Sequence, residues 1–185
     1  MKTRILGGKH RNTILHTTDN PAVRPTLGRV RENLFNIIQS SVPRCHFLDL
    51  YAGFGAVGLE ALSRGAERCF FVEAHPPCHQ TIGKNIVKLQ AEKQTELLKM
   101  PVRQALTLLE RRGERFDIIF ADPPYGKNEA QILLDSPECP QLLESDGMLI
   151  LQTESAANLP EEHAPWRLSR SKCYGQTALW FFEFG

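Results

Sequence analysis

At 185 residues and 20.9 kDa, with 42% apolar and 23% charged residues, the chain is sized for one domain with a full core. That balance excludes a disordered, collagenous or coiled-coil protein. The longest apolar stretches, such as Met148 to Leu151 and Ile118 to Ala121, fall far short of the ~18 residues a membrane span needs, and the first residues carry no hydrophobic signal core, which points to a cytoplasmic protein. Five cysteines, an odd number with no C-x-x-C pair, fit reduced thiols better than a disulfide scaffold. The net charge of +1 hides an asymmetry: residues 1–44 carry a balance of +6, the remainder −5. A basic arm on a mildly acidic body suggests a polyanionic partner.

In chain order, Thr3 to Leu6 and Thr13 to His16 flank a loop containing Gly7-Gly8 and predict a hairpin. Pro21 and Pro25 punctuate the next stretch. Thr26 is a candidate cap, and Leu27, Val30, Leu34, Ile37 and Ile38 then fall at helical spacing, closed by Pro43. From residue 46 strands and helices alternate. Strands are predicted at 46–50, 68–72, 95–99, 116–121 and 147–152, and helices near 56–64, 77–90, 102–112 and 128–143. Two final strands, 166–169 and 177–184, follow in series. Alternation of this kind implies a mostly parallel sheet with helices on both faces, and the two strands in series an antiparallel edge.

Three clusters carry chemistry. Asp49-Leu50-Tyr51-Ala52-Gly53-Phe54-Gly55-Ala56-Val57-Gly58 lies where the first strand hands over to a helix, and Gly53, Gly55 and Gly58 match G-x-G-x-x-G. Glycines allow a tight turn and close approach of backbone to a ligand. The acid Asp49 before them suits a cationic ligand end better than a pyrophosphate, and S-adenosylmethionine has such an end. Glu73, 24 residues on and at the end of the second strand, can accept hydrogen bonds from both hydroxyls of a ribose. Asp122-Pro123-Pro124-Tyr125 directly follows an apolar strand and is the most specific of the three. The prolines fix the backbone, so the Asp122 side chain and the Pro123 carbonyl form a rigid pair of acceptors for the two hydrogens of an exocyclic amine. Tyr125 offers a stacking face for a planar base. His75-Pro76-Pro77-Cys78-His79 reads as a proline-started helix, and no remote ligands complete a metal site.

This combination resembles the class I adenosylmethionine-dependent methyltransferases that act on exocyclic amines. Arg4-Ile5-Leu6-Gly7-Gly8, Arg24-Pro25-Thr26, the run Arg29 to Asn36, the run Gly58 to Ala66 and the late Lys172-x-Tyr174-Gly175 narrow the resemblance to the RsmD family of bacterial 16S rRNA guanine-N2 methyltransferases, over essentially the whole chain. The resemblance implies a Rossmann-like, seven-stranded sheet. It divides the chain into a basic N-terminal hairpin extension, residues 1–24, and a methyltransferase domain, residues 25–185. It implies S-adenosylmethionine as donor, S-adenosylhomocysteine as product, and a guanine N2 amine of 16S rRNA, free or within a 30S particle, as acceptor. By matching positions, Asp49, Gly53 and Gly55 would hold the methionine part and Glu73 the ribose, and Tyr51, Ala52 and Asp122 would also contact the cofactor. Ala74, Gln104 and Ala105 would line the adenine. Asp122 and Pro123 would accept the amine, with Tyr125 stacked on the base. Lys9, Arg11, Arg24, Arg29 and Arg31 would grip phosphates. Phe54 stands where the family usually has a small Ser, and Gln104 where it usually has Asp or Asn. Nothing demands more than a monomer. A DNA or other RNA amino methyltransferase, a nicotinamide-dependent oxidoreductase and a non-catalytic RNA-binding module are the competing readings.

Overall fold

The unbroken apolar runs become inner strands of one sheet, because a strand covered on both faces has no solvent side to keep polar. β1 (His46–Leu50), β2 (Arg68–Val72) and β4 (Phe116–Ala121) are buried along nearly their whole length. The computed structural model describes residues 3–18, 28–124 and 128–184. Expectations for Arg24, Pro25, Thr26 and Tyr125, and the boundary between residues 24 and 25, lie outside these residues.

The elements follow as α1 (Gly28–Ile37), β1, α2 (Ala56–Ser63), β2, α3 (Pro76–Lys88), β3 (Thr95–Leu98), α4 (Val102–Arg111), β4, α5 (Glu129–Leu134), α6 (Glu138–Gln141), β5 (Leu143–Glu154), β6 (Glu162–His163), β7 (Trp166–Tyr174) and β8 (Thr177–Phe184). The sheet has the order β3-β2-β1-β4-β5-β8-β7-β6. β1 to β5 are parallel, and β8 enters antiparallel beside β5. The mostly parallel sheet with an antiparallel C-terminal strand is as expected. The count is eight strands and not seven, because the two-residue β6 pairs with the start of β7. The single helix expected over 128–143 is two short ones: Pro137 caps α6 and Pro140 lies within it, and neither can donate to a continuous helical ladder. β5 starts earlier than expected, at Leu143, and passes through a register shift before pairing Ile118 with Met148.

One face of the sheet packs against α1, α2 and α3, the other against α4, α5 and α6. The chain reverses winding direction between β1 and β4, which is where open α/β sheets bind ligands, at the carboxyl ends of the strands. The first described segment makes one antiparallel bridge, Arg4 with Ile14, extended by Ile5 N–H to Thr13 O and Leu15 N–H to Thr3 O. Ile5 and Leu15 are buried in the same core cluster as α1, α2 and α3.

What holds this arm is a carboxylate. Glu60 on α2 is fully buried and accepts from Leu6 N–H and Gly7 N–H, each at 2.8 Å, and from Arg64 Nε at 2.8 Å. Arg31 lies 3.6 Å from its other oxygen and donates to the Arg4 carbonyl. The arm's turn also presses on the end of α2: a Cβ on Gly8 would stand 1.7 Å from the Ser63 carbonyl oxygen.

Candidate active site

The loop after β1 winds through three left-handed residues, Tyr51, Gly53 and Gly55, with φ of 57°, 59° and 83°. Gly53 and Gly55 adopt this without a Cβ penalty, whereas Tyr51 is a non-glycine held there by the fold. The Tyr51 hydroxyl donates to Glu129 at 3.0 Å, tying the loop to the first turn of α5. Asp49 is 2% exposed and accepts from Gly58 N–H at 2.8 Å, so it braces the loop from within the sheet. Gly58 serves packing: a Cβ there would lie 2.4 Å from the Phe71 ring and 2.6 Å from Cys69 Sγ. Phe54 turns its ring into the core, so the departure at this position does not place a bulky side chain over the loop.

Glu73, just past β2, accepts from Gly53 N–H at 2.8 Å and His75 N–H at 2.7 Å. Pro76 and Pro77 open α3, as the sequence implied. Ala74 and Gln104 are exposed, but Ala105 is wholly buried among core residues of α4, its side chain closed off from a ligand. Helical geometry explains the correction, since adjacent positions on a helix point about 100° apart.

Asp122 follows β4. Burial pushes its carboxyl up to about 7, opposed by a hydrogen bond from Gln152. Burial likewise pushes Asp49 up to about 8, with Asp122 and Glu73 adding to the rise and the Gly58 bond opposing it. Three carboxyl groups thus gather at the reversal of strand order, and none forms an ion pair among the described residues. Such a cluster fits a ligand that brings its own positive charge. Pro123, the residue after Asp122, borders a cavity of about 340 Å³ on the β5 side, lined by Pro123, Pro124, Asn128, Glu129, Gln152 and Leu159 among others. Gly53 and Glu73 stand apart from its walls. The Asp122-Pro123 step therefore joins the cluster of carboxyl groups to the cavity.

Gln152 and Glu129 are the residues that motif reading missed. Gln152 gave one signal, an amide ending the apolar run Met148 to Leu151.

The basic residues are not brought together. Lys9 and Arg11 are exposed at the tip of the arm, where Lys9 N–H meets Ser63 O at 2.7 Å and Lys9 Nζ meets Gln94 at 3.2 Å. That tip lies beside the amino ends of β2 and β3, opposite the carboxylate rim. Arg29 is exposed in the first turn of α1. Arg31 corrects the expectation outright: it is 1% exposed and directs its charge to Glu60 and the Arg4 carbonyl, out of reach of a phosphate. Among the described residues, no group of three or more metal-ligating side chains occurs and no helix is long and apolar enough to cross a membrane.

Residues 3–183 match the family model described as conserved hypothetical protein 95. The chain is 33% identical to ribosomal RNA small subunit methyltransferase D of Escherichia coli K12, over 97% of this chain and 89% of that protein. Identity to the protein of the same name in Haemophilus influenzae is 30%, over 94% and 90%. Among solved structures, a hypothetical protein of Thermus thermophilus superposes with a TM-score of 0.84 at 33% identity, covering 98% of this chain and 99% of that one. The fold is the Rossmann-like one of class I methyltransferases.

Proposed function

The chain belongs to the conserved hypothetical protein 95 family, the RsmD family, and on that premise we propose that it methylates the exocyclic N2 amine of a guanine in 16S rRNA. The observation that carries the reading is the succession Asp122-Pro123, with the Asp122 carboxyl among the acids of the loop and Pro123 on the cavity wall. S-adenosylmethionine, when bound, supplies the methyl group and the positive charge that the carboxylate rim lacks, and remains as S-adenosylhomocysteine. The backbone of Gly53 and Gly55 would take its methionine part. Asp49 would act through the loop it braces, Glu73 would receive the ribose hydroxyls, and Ala74 and Gln104 would border the adenine.

The guanine amine is a poor nucleophile because its lone pair is delocalised into the ring. Asp122 and the Pro123 carbonyl would each accept one N–H, turning electron density onto nitrogen and fixing its direction. Tyr125 would stack on the base. Positioning and electrostatic support for the charge that develops on the nitrogen account for the rate in this reading, and as the methyl–sulfur bond gives way to the methyl–nitrogen bond the surplus N–H proton would leave through Asp122 to solvent. The base must leave its stack to reach the cavity, which favours a loop or an extruded nucleotide in the rRNA or in a 30S particle. Arg29, exposed on the first turn of α1, would meet flanking phosphates, and the site of action would be cytoplasmic, with the ribosomal substrate.

The test is transfer from labelled S-adenosylmethionine to small-subunit rRNA and to 30S particles lacking the modification, followed by nucleoside analysis and mapping. N2-methylguanosine is the expected product. Label in another nucleoside, or no label while calorimetry still detects donor binding, would overturn the acceptor assignment and retain the donor.

A further inference from the structure

The register that ends the β4–β5 pairing carries more than the motif does. Ala121 faces Leu151, so the next pair along is Asp122 and Gln152, and alternation puts both on the sheet face of Ile118, Phe120 and Ile150. Gln152 is 4% exposed, and its amide donates to the Asp122 carboxylate. Oε1 is buried and accepts no hydrogen bond among the described residues. An unmet carbonyl in the interior is costly, and native structures rarely keep one without a use. The other buried unpartnered atoms belong to His10 and Arg31, at the arm. Gln152 stands at the rim and lines the cavity beside Pro123 and Pro124.

An acceptor that has no partner asks for a donor. Guanine presents two kinds side by side, the N2 amine and the ring N1–H. Adenine and cytosine put an unprotonated ring nitrogen beside their amine, and that nitrogen would face Oε1 lone pair to lone pair. Asp122 and the Pro123 carbonyl can hold any exocyclic amine, so they do not select among bases.

We infer that Gln152 is the base-selecting residue of this site: Nε2 positions Asp122, and Oε1 accepts the N1–H of the guanine whose N2 amine is held by Asp122 and Pro123. The inference rests on the guanine-N2 reading above.

The probe is 2-aminopurine, which keeps the 2-amine and lacks the N1–H. It replaces the mapped guanine in 16S rRNA assembled by ligation of a synthetic fragment, and kcat/KM is measured against the guanine-containing RNA. The wild-type protein should prefer guanine by on the order of 100-fold or more, since a site built to bond a substrate N–H rejects an analogue without it. Gln152→Leu should narrow that preference below about 10-fold, chiefly through loss on guanine, with donor binding by calorimetry unchanged. Gln152→Glu keeps the acceptor and loses the donation to Asp122, so it should turn over slowly yet keep the preference. Equal use of both RNAs by the wild-type protein would overturn the inference whether or not any variant folds. So would a Leu variant that loses the same factor on both RNAs, since Gln152 would then only prop Asp122. If the wild-type protein methylates no guanine at all, the guanine-N2 reading itself fails and takes this one with it.

Discussion

Two places in this molecule bury acidic side chains, and they treat the charge in opposite ways. Under the N-terminal arm, Glu60 has two backbone N–H groups and two arginines around it, so its charge is met from within the fold. At the rim, Asp49, Glu73 and Asp122 have backbone and amide donors but no cation among the described residues. The first arrangement holds structure together. The second raises the carboxyls of Asp49 and Asp122 and is relieved when a positively charged molecule arrives. Burial alone therefore does not mark a functional acid; burial without a counter-charge does.

The largest expected effect breaks the closed site. Glu60→Ala strands the Arg31 guanidinium in the core and removes both bonds to the arm, so unfolding in denaturant should show a loss of about 3–5 kcal/mol. A loss under about 1 kcal/mol would mean the seam is wetter than the structure depicts.

At the open site, Asp122→Ala should lower methyl transfer by roughly 10²–10³-fold, about 3–4 kcal/mol in the barrier, and leave donor binding within a few-fold by calorimetry. Equal loss of binding and turnover would move Asp122 from the amine to the donor.

The two sites also differ in their response to pH. Asp49 and Asp122 have folded values of about 8 and 7, above the ordinary carboxylate range near 4. The folded state thus holds more protons than the unfolded one between about pH 4 and 8, and stability falls as pH rises through that window. Scanning calorimetry should show Tm declining from pH 5 to 8, and S-adenosylmethionine should raise Tm more at pH 8 than at pH 6, where it must first displace protons. If ionised Asp122 is the working acceptor, kcat/KM rises with pH through about 7. A profile that falls through the same range would argue for the neutral acid.

The smallest effect concerns the arm's tip. Replacing Lys9 and Arg11 together by Ala should weaken rRNA binding less than Arg29→Ala does, and by under about 1 kcal/mol at physiological salt. The reverse order would mean that the RNA wraps past the rim to the amino ends of the strands.

Much of this comparison was legible in the sequence. The apolar runs at β1, β2 and β4, the glycine loop, Glu73 and the D-P-P turn all depend on neighbours within a few residues, and each appears where the pattern put it. What could not be read depends on partners far along the chain. Arg31 looks like any solvated arginine until Glu60, 29 residues later, folds beneath it. Gln152 gains meaning from a register with Asp122 that a linear pattern does not specify. Ala105 differs from Gln104 by one position, and only the seating of α4 decides which of the two is inside. Helix α6 blurs into its predecessor in a linear reading because a run of helix formers spans its two prolines.

The hydrogen bonds from Leu6 and Gly7 to Glu60 span 54 and 53 residues. During synthesis the arm therefore emerges well before the anchor it will dock on, and waits unlatched while α1, β1 and α2 are made. It is made before its anchor and fastened late. A protease that cuts near Gly7-Gly8 should therefore find its target open on chains stopped before Glu60, and closed once α2 has packed against the sheet.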